Sequence, residues 1–176
     1  MGREVRIVPP NWDHPKMEIE WPQTKAQLQP MFDRDYDEAK AEWIAEMNQW
    51  EAGTHENLVG ETPMTTKKEN PDYWEWAGPP PERAYYRTWK MEDASWVQVW
   101  ETVSEGTPVS PPFETEDELI EYLVANGDFW DQKRGDKAWG RESATDFVKG
   151  SGWSPSMMIG PEGIKTAKEM DFYKDK

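Results

Sequence analysis

WVQVWETVSEGTPVSPPFETEDELIEYLVANG, residues 96–127, holds a strand pattern, a turn-rich connection and a capped helix in one run. In WVQVWETV, residues 96–103, Val97, Val99, Glu101 and Val103 fall on one face, and Trp96, Gln98, Trp100 and Thr102 on the other. That period of two is the signature of a strand. Gly and Pro in SEGTPVSPP end it. Thr115 then stands three residues before Glu118, the spacing of a capping box in which two side chains accept two otherwise unpaired N–H groups. Leu119, Ile120, Leu123 and Val124 form the apolar stripe of the helix that follows, with Phe113 placed to pack against it and Asn126-Gly127 at its end. Glu114, Glu116, Asp117 and Glu121 are left for solvent.

A second helix is as explicit, over residues 35–52. Apolar side chains fall at Phe32, Tyr36, Ala39, Trp43, Met47 and Trp50, the spacing of one helical face. Asp35 is the cap, Asp37 and Glu38 suit the positive end of the helix dipole, and Gly53 supplies the left-handed residue that closes it. The outward face would carry Glu38, Glu42 and Glu46 at i, i+4 and i+8. Like charges at that spacing cost a few tenths of a kcal/mol per pair, about 0.2–0.5.

Around these two helices the pattern predicts small strands. EVRIV, residues 4–8, is β-branched and ends at Pro9-Pro10; MEIEW, residues 17–21, is a second candidate. A shorter helix is expected over 142–149, starting at Glu142 or Ser143 and ending at Gly150. SPSMMIGPEGIKTA reads as strand, turn, strand, with the turn at Gly160–Gly163. Residues 53–70 read as a polar loop, the internal segment with most reason to be mobile. The expected class is α+β: one domain over 1–176 with a small mixed or antiparallel sheet and two principal amphipathic helices. Twelve tryptophans argue that this chain folds, although only 36% of it is hydrophobic.

PDYWEWAGPPPERAYYRTW, residues 71–89, concentrates three tryptophans, three tyrosines and four prolines. The prolines argue against a helix across it. Its rings either pack on the 35–52 helix or offer binding anchors, with Trp74, Trp76, Tyr85 and Tyr86 the candidates for a partner-binding face. A sugar- or base-stacking platform is the alternative, which would make the chain an enzyme or small-ligand binder centred on 73–89.

Charge excludes more than it assigns. The net charge is −15, and it is segregated. Residues 31–62 carry nine acids against two bases, and residues 96–131 carry nine acids with no Lys or Arg. The mildly basic stretch lies after residue 131, where Lys133, Arg134, Lys137 and Arg141 are closely spaced. Direct nucleic-acid binding needs a positive face, so it is not expected. Acidity serves solubility in many proteins. The sharper reading is a surface that competes with nucleic acid for a basic groove. Net −16 on one side would match roughly 27 Å of duplex at about 1.7 Å per charge.

No catalytic or metal motif survives inspection. Asp33-x-Asp35-x-Asp37 opens like a calcium loop, but the positions that need Gly and Glu hold Glu38 and Ile44. His14 and His55 are isolated, no cysteine is present, and no P-loop, G-x-S-x-G or H-E-x-x-H occurs. No cofactor, metal ligand or catalytic residue is assigned. MGREVRIVPP lacks the apolar run of a signal peptide, and no membrane-spanning run is found, so a soluble protein inside the cell is expected.

Three segments, YWEWAGPPPERAYY, WETVSEGTPVSPPFETEDELIEYL and GWSPSMMI, resemble uncharacterised small acidic proteins of bacteriophage and prophage genomes. The resemblance spans about residues 72–160 and carries no catalytic role. It implies the cytoplasm of a bacterial host, and either an inhibitor of a host defence enzyme, of anti-CRISPR or anti-restriction type, or a virion or assembly component. The expected partner is a protein with a basic nucleic-acid-binding groove.

Overall fold

The computed structural model describes residues 2–17, 27–102, 105–154, 157–160 and 163–166, with the backbone alone at 151 and from 153 onward. In chain order the elements are β1 (Arg3–Val8), β2 (Lys16–Met17), β3 (Gln27–Leu28), β4 (Phe32–Asp35), α1 (Tyr36–Ala52), α2 (Glu56–Val59), α3 (Tyr73–Ala77), β5 (Tyr86–Arg87), β6 (Trp96–Glu101), α4 (Glu116–Asn126), α5 (Phe129–Arg134), α6 (Arg141–Thr145), β7 (Trp153–Ser154), β8 (Met157–Gly160) and β9 (Gly163–Thr166). A π-helical turn, Asp146–Ser151, continues α6. The class is α+β, with α1 and α4 the two long helices. The chain divides into two compact units, one made of Met1–Phe32 with Trp89–Lys176, the other of Asp33–Thr88.

The first unit is built on β6. It pairs antiparallel with β1, Val5 opposite Val99 and Ile7 opposite Val97, and β1 pairs with β7 in turn. The alternation read from the sequence is present, and both faces of the strand are covered. On one face Val97 and Val99 join Leu119, Ile120 and Leu123 of α4 with Trp139, Ala144, Phe147 and Val148. On the other, Trp100 joins Val8, Met31 and Trp89. Residues 107–113 run along the free edge of β6: Val109 N–H donates to Val99 O at 2.8 Å, and Val97 and Phe113 exchange both bonds. From Phe113 the chain enters α4 through the expected box, Glu118 N–H to Thr115 Oγ1 at 3.2 Å and Thr115 N–H to Glu118 Oε2 at 3.2 Å.

In this unit the helix expected over 142–149 is present with longer ends, and α5 went unread. The final helix starts at Arg141 and runs on through the π turn to Ser151, beyond the Gly150 stop, because Gly152 at φ 60° is the residue that closes it. α5 carries no apolar period; it is nucleated by Asp128 and Asp131, each of whose carboxylates accepts a backbone N–H of the other. Both acids are 1% exposed. Arg3 Nε meets Asp128 Oδ2 at 2.6 Å, Trp139 Nε1 donates to Asp131 Oδ2 at 3.0 Å, and the pair so ties β1 to α5.

In the second unit Asp35 caps α1, accepting from Asp37 and Glu38 N–H, and Gly53 closes it at φ 72°. Of the three acids that open like a calcium loop, Asp35 is the cap, while Asp33 and Asp37 meet Arg87 and Arg83; no group of three potential metal ligands exists among the described residues. β4 pairs with β5. The aromatic stretch does contain a helix: α3 occupies Tyr73–Ala77 ahead of the prolines, with an Asp72/Glu75 capping box. The proline argument holds only from residue 79 onward. Residues 53–70 hold the helical turn α2, capped by His55, whose Nδ1 accepts from Asn57 N–H at 3.2 Å. Thr65 within it is buried. β8 and β9 form the expected C-terminal hairpin, Met157 opposite Thr166. Beyond Met17, residues 18–21 of the second candidate strand lie outside the described residues.

Two tests follow from this packing. Breaking one partner of a buried ion pair costs about 3–5 kcal/mol. Arg3→Met, which strands Asp128, is expected to lower the unfolding free energy in urea by that amount; a loss below about 1 kcal/mol, the value of an exposed pair, would show the pair is not a tie. The second concerns His14, whose Nε2–H donates to Gln29 O at 2.7 Å while Nδ1 accepts from Trp12 Nε1 at 3.4 Å. Burial is the main cause that pulls its pKa below the ordinary 6.5, Arg6 adds to it, and the Gln29 carbonyl opposes it. The unfolded chain then binds the proton more readily, so this contribution is full above pH 6.5 and is lost as pH falls through 6.5 towards the folded value. The melting temperature should drop between pH 7.5 and 5.5, and His14→Gln should flatten that slope.

Candidate functional site

The carboxylates that the sequence leaves for solvent on α4 border a shallow cleft of about 690 Å³. Its walls are Trp96 from β6, Pro112 and Phe113 from the edge segment, and Tyr122 from α4; its rim is Glu114, Asp117, Glu118 and Glu121. The helix repeat explains the rim. Residues 118 and 122 stand one turn apart on α4, and so do 117 and 121, while Glu114 is brought beside them by the extended segment that precedes the Thr115 cap. The floor follows from β6: Trp96 is at the strand's end and half-buried, and Phe113, bridge-paired with the next residue Val97, packs on Tyr122 with ring centroids 5.1 Å apart. Rings half-exposed beneath four carboxylates suit a guest with a cationic head and an apolar or planar body.

Bases of the same unit already reach this rim. Arg141 donates Nη1 and Nη2 to the two oxygens of Glu121 at 2.6 and 2.8 Å. That fork holds the Glu121 carboxyl below its ordinary range and raises Arg141. Lys149 lies 2.6 Å from Asp117, which raises the lysine. Glu114 and Glu116 are exposed and make no ion pair among the described residues; Glu116 stands outside the cleft lining.

Not every acid of 96–131 is available. Asp128 and Asp131 are buried, and Glu101 accepts from Thr107 Oγ1 at 2.5 Å and Trp130 Nε1 at 2.8 Å. The basic run after residue 131 is also engaged: Arg134 with Asp136 and Asp131, Arg141 with Glu121, and Lys133 over the Trp130 ring at 5.0 Å.

In the second unit the predicted stripe of α1 divides. Glu38 is exposed, Glu42 pairs with Arg34, and Glu46 turns inward to accept the hydroxyl of buried Tyr73. Asp37 and Glu51 meet Arg83 and Lys67. The aromatic candidates divide as well. Trp76 stacks on Trp50 at 6.1 Å and 16°, Tyr86 packs edge-on to Tyr36, and Tyr73 packs against Trp43 and Trp50. Tyr85 is half-buried, while Trp74 at 56% exposure is the ring left to solvent.

The cleft thus joins Glu114, Asp117 and Glu121 to Trp96, Phe113 and Glu118, which the sequence places on a strand face, in packing and in a cap, and to Tyr122, to which the sequence reading gives no role. The i, i+4 relation of Glu118 to Tyr122 was the available signal. No protein-family model, curated protein or solved structure matches this chain. No helix of the described residues is long and apolar enough to cross a membrane.

Burial first, then the Glu46 carboxylate, raises the Tyr73 phenol well above its ordinary 10.0. In an ultraviolet alkaline titration, the difference between the wild type and Tyr73→Phe should show no ionisation near pH 10, and Glu46→Gln should bring Tyr73 down. A Tyr73 that ionises at pH 10 in both would refute the inward turn of Glu46.

Proposed function

We propose that this chain is a non-enzymatic protein-binding protein whose α4 cleft engages a basic surface of its partner. The observation that carries this reading is the four-carboxylate rim around the half-buried rings of Trp96, Phe113 and Tyr122. Carboxylates arranged over apolar walls favour Arg and Lys side chains, which bury a stem and leave a charged head at the rim. A basic groove built to hold phosphates is a surface of that chemistry. In its sharper form the reading is a phage-type inhibitor that occupies the nucleic-acid-binding groove of a host defence enzyme, of anti-CRISPR or anti-restriction type, in the bacterial cytoplasm. The segregated charge supports it. The engagement of Glu42 and Glu46 within their own unit moves the centre of the reading from α1 to α4.

Glu114 and Glu116 give the cleanest test, because reversing them breaks no ion pair. Purified protein would be immobilised, bacterial lysate applied at low salt, and bound proteins eluted in salt steps. A nucleic-acid enzyme that elutes at moderate salt and is displaced by duplex DNA or RNA is the expected outcome, with capture lost in the Glu114→Lys, Glu116→Lys double variant, which stays folded and loses only the ~0.3–1 kcal/mol that each charge at a helix N-terminus is worth. Equal capture by the double variant would sink the reading, as would recovery of only the chain itself or virion components with no salt dependence.

A further inference from the structure

The cleft does not end at Tyr122. The same ring is a wall of a second cavity of about 200 Å³, whose other walls include Pro108, Val109, Pro111 and Phe129. Gln132 Nε2 donates to the Tyr122 hydroxyl at 2.9 Å, which fixes the dividing ring. Phe129 is 51% exposed at this cavity, a large apolar side chain with little cover. One cavity is therefore acid-rimmed; the next bears no charged group, with Pro108, Val109, Pro111 and Phe129 as its apolar walls and Ser110 and Gln132 completing it, and the two share a wall.

We propose that these two cavities read a pair of side chains from one extended peptide segment of the partner, an arginine over Trp96 and Phe113 and an apolar residue two positions away between Pro111 and Phe129. This assignment rests on the protein-binding reading above. Three observations lead to it. Arginine fits the first cavity better than lysine, because its planar head stacks on rings and forks onto a carboxylate. The rim already displays that contact: Arg141 of this chain forks onto Glu121. Finally, Pro108, Pro111 and Pro112 lack the N–H groups that strand addition needs, so an extended guest is read by its side chains here. Side chains two apart on a strand lie about 6.5–7 Å apart on the same side, a spacing suited to two pockets divided by one ring.

Arg141 then acts as an internal competitor, holding Glu121 until the guest arginine replaces it or shares the carboxylate. Removing it should strengthen binding, which a surface that serves solubility alone does not predict.

The probe is an acetylated, amidated heptapeptide centred on Arg-Ser-Leu, followed by amide chemical shifts and by the indole N–H of Trp96 in the full chain. Two control peptides carry Ser in place of Arg or of Leu. The expected result is a shift of Trp96 and Tyr122 signals with the parent peptide and weaker binding of both controls. Arg141→Gln should bind roughly threefold tighter and Glu114→Gln roughly threefold weaker, the size of freeing or losing one exposed carboxylate. Lys16→Gln makes the same charge change at a base that lines neither cavity, and should leave affinity unchanged. Equal binding of all three peptides would overturn the proposal. So would an equal gain from Lys16→Gln and Arg141→Gln, which would reduce the effect to net charge. If no peptide binds while the Glu114, Glu116 reversal still abolishes partner capture, the two-cavity assignment fails and the protein-binding reading stands.

Discussion

A strand buried on both faces sets the terms for the rest of the first unit. Val97 and Val99 need one apolar layer and Trp100 another, and β6 also carries Gln98 in a position that excludes water. A buried amide left unpaired costs about 1–3 kcal/mol. Gln98 avoids this by donating to Ser110 O at 2.9 Å and accepting from Trp100 Nε1 at 3.1 Å, while Ser110 Oγ accepts Val99 N–H. Arg6, facing the same layer, lies over the Trp100 ring at 4.3 Å and donates to Met31 O at 2.5 Å and Glu105 O at 3.1 Å. The path of 105–113 along β6 is thus held by buried polar groups that it satisfies.

That path positions the cleft. Once Phe113 is bridged to Val97, Thr115 must begin α4 within two residues, and Leu119, Ile120 and Leu123 must turn to the Val97/Val99 face. With the apolar stripe committed to the core, the acidic rows of the helix have only the solvent side and the Trp96 end of the strand to face. Cleft geometry is therefore largely a by-product of the core, with the Gln132 contact to the Tyr122 hydroxyl added from α5.

Much of this was legible. Asp35, Gly53, Thr115 and Glu118 mark helix ends by local chemistry, and local chemistry survives in a sequence. α3 was lost because the prolines at 79–81 were allowed to speak for residues before them, although Asp72 and Glu75 have capping-box spacing. α5 was lost because its signal is two aspartates that the charge count had placed at the surface, whereas burial with Arg3 and Trp139 makes them structural. The cleft was half legible. Its acids stand together in sequence, but Trp96, Phe113 and Tyr122 meet only after folding, and the richer aromatic run at 71–89 drew attention to rings that mostly pack on α1.

The distribution of pairing gives the charge its meaning. A chain at net −15 pays self-repulsion in its compact form, and its few bases reduce that repulsion where they meet acids: Arg34 on Glu42, Arg83 on Asp37, Lys67 on Glu51, Arg141 on Glu121, Lys149 on Asp117. Glu114 and Glu116 are passed over, and they flank the cap of α4, where the positive end of the helix dipole stabilises an anion without any base. The fold can hold uncompensated charge there at least expense. Solubility alone gives no reason to gather such charge beside half-buried rings, since carboxylates anywhere on the surface would serve. Under the proposed reading a cationic guest does give one: it would meet carboxylates set at the start of α4 over apolar walls already formed by the core, with the Arg141 fork on Glu121 the contact it has to displace or share.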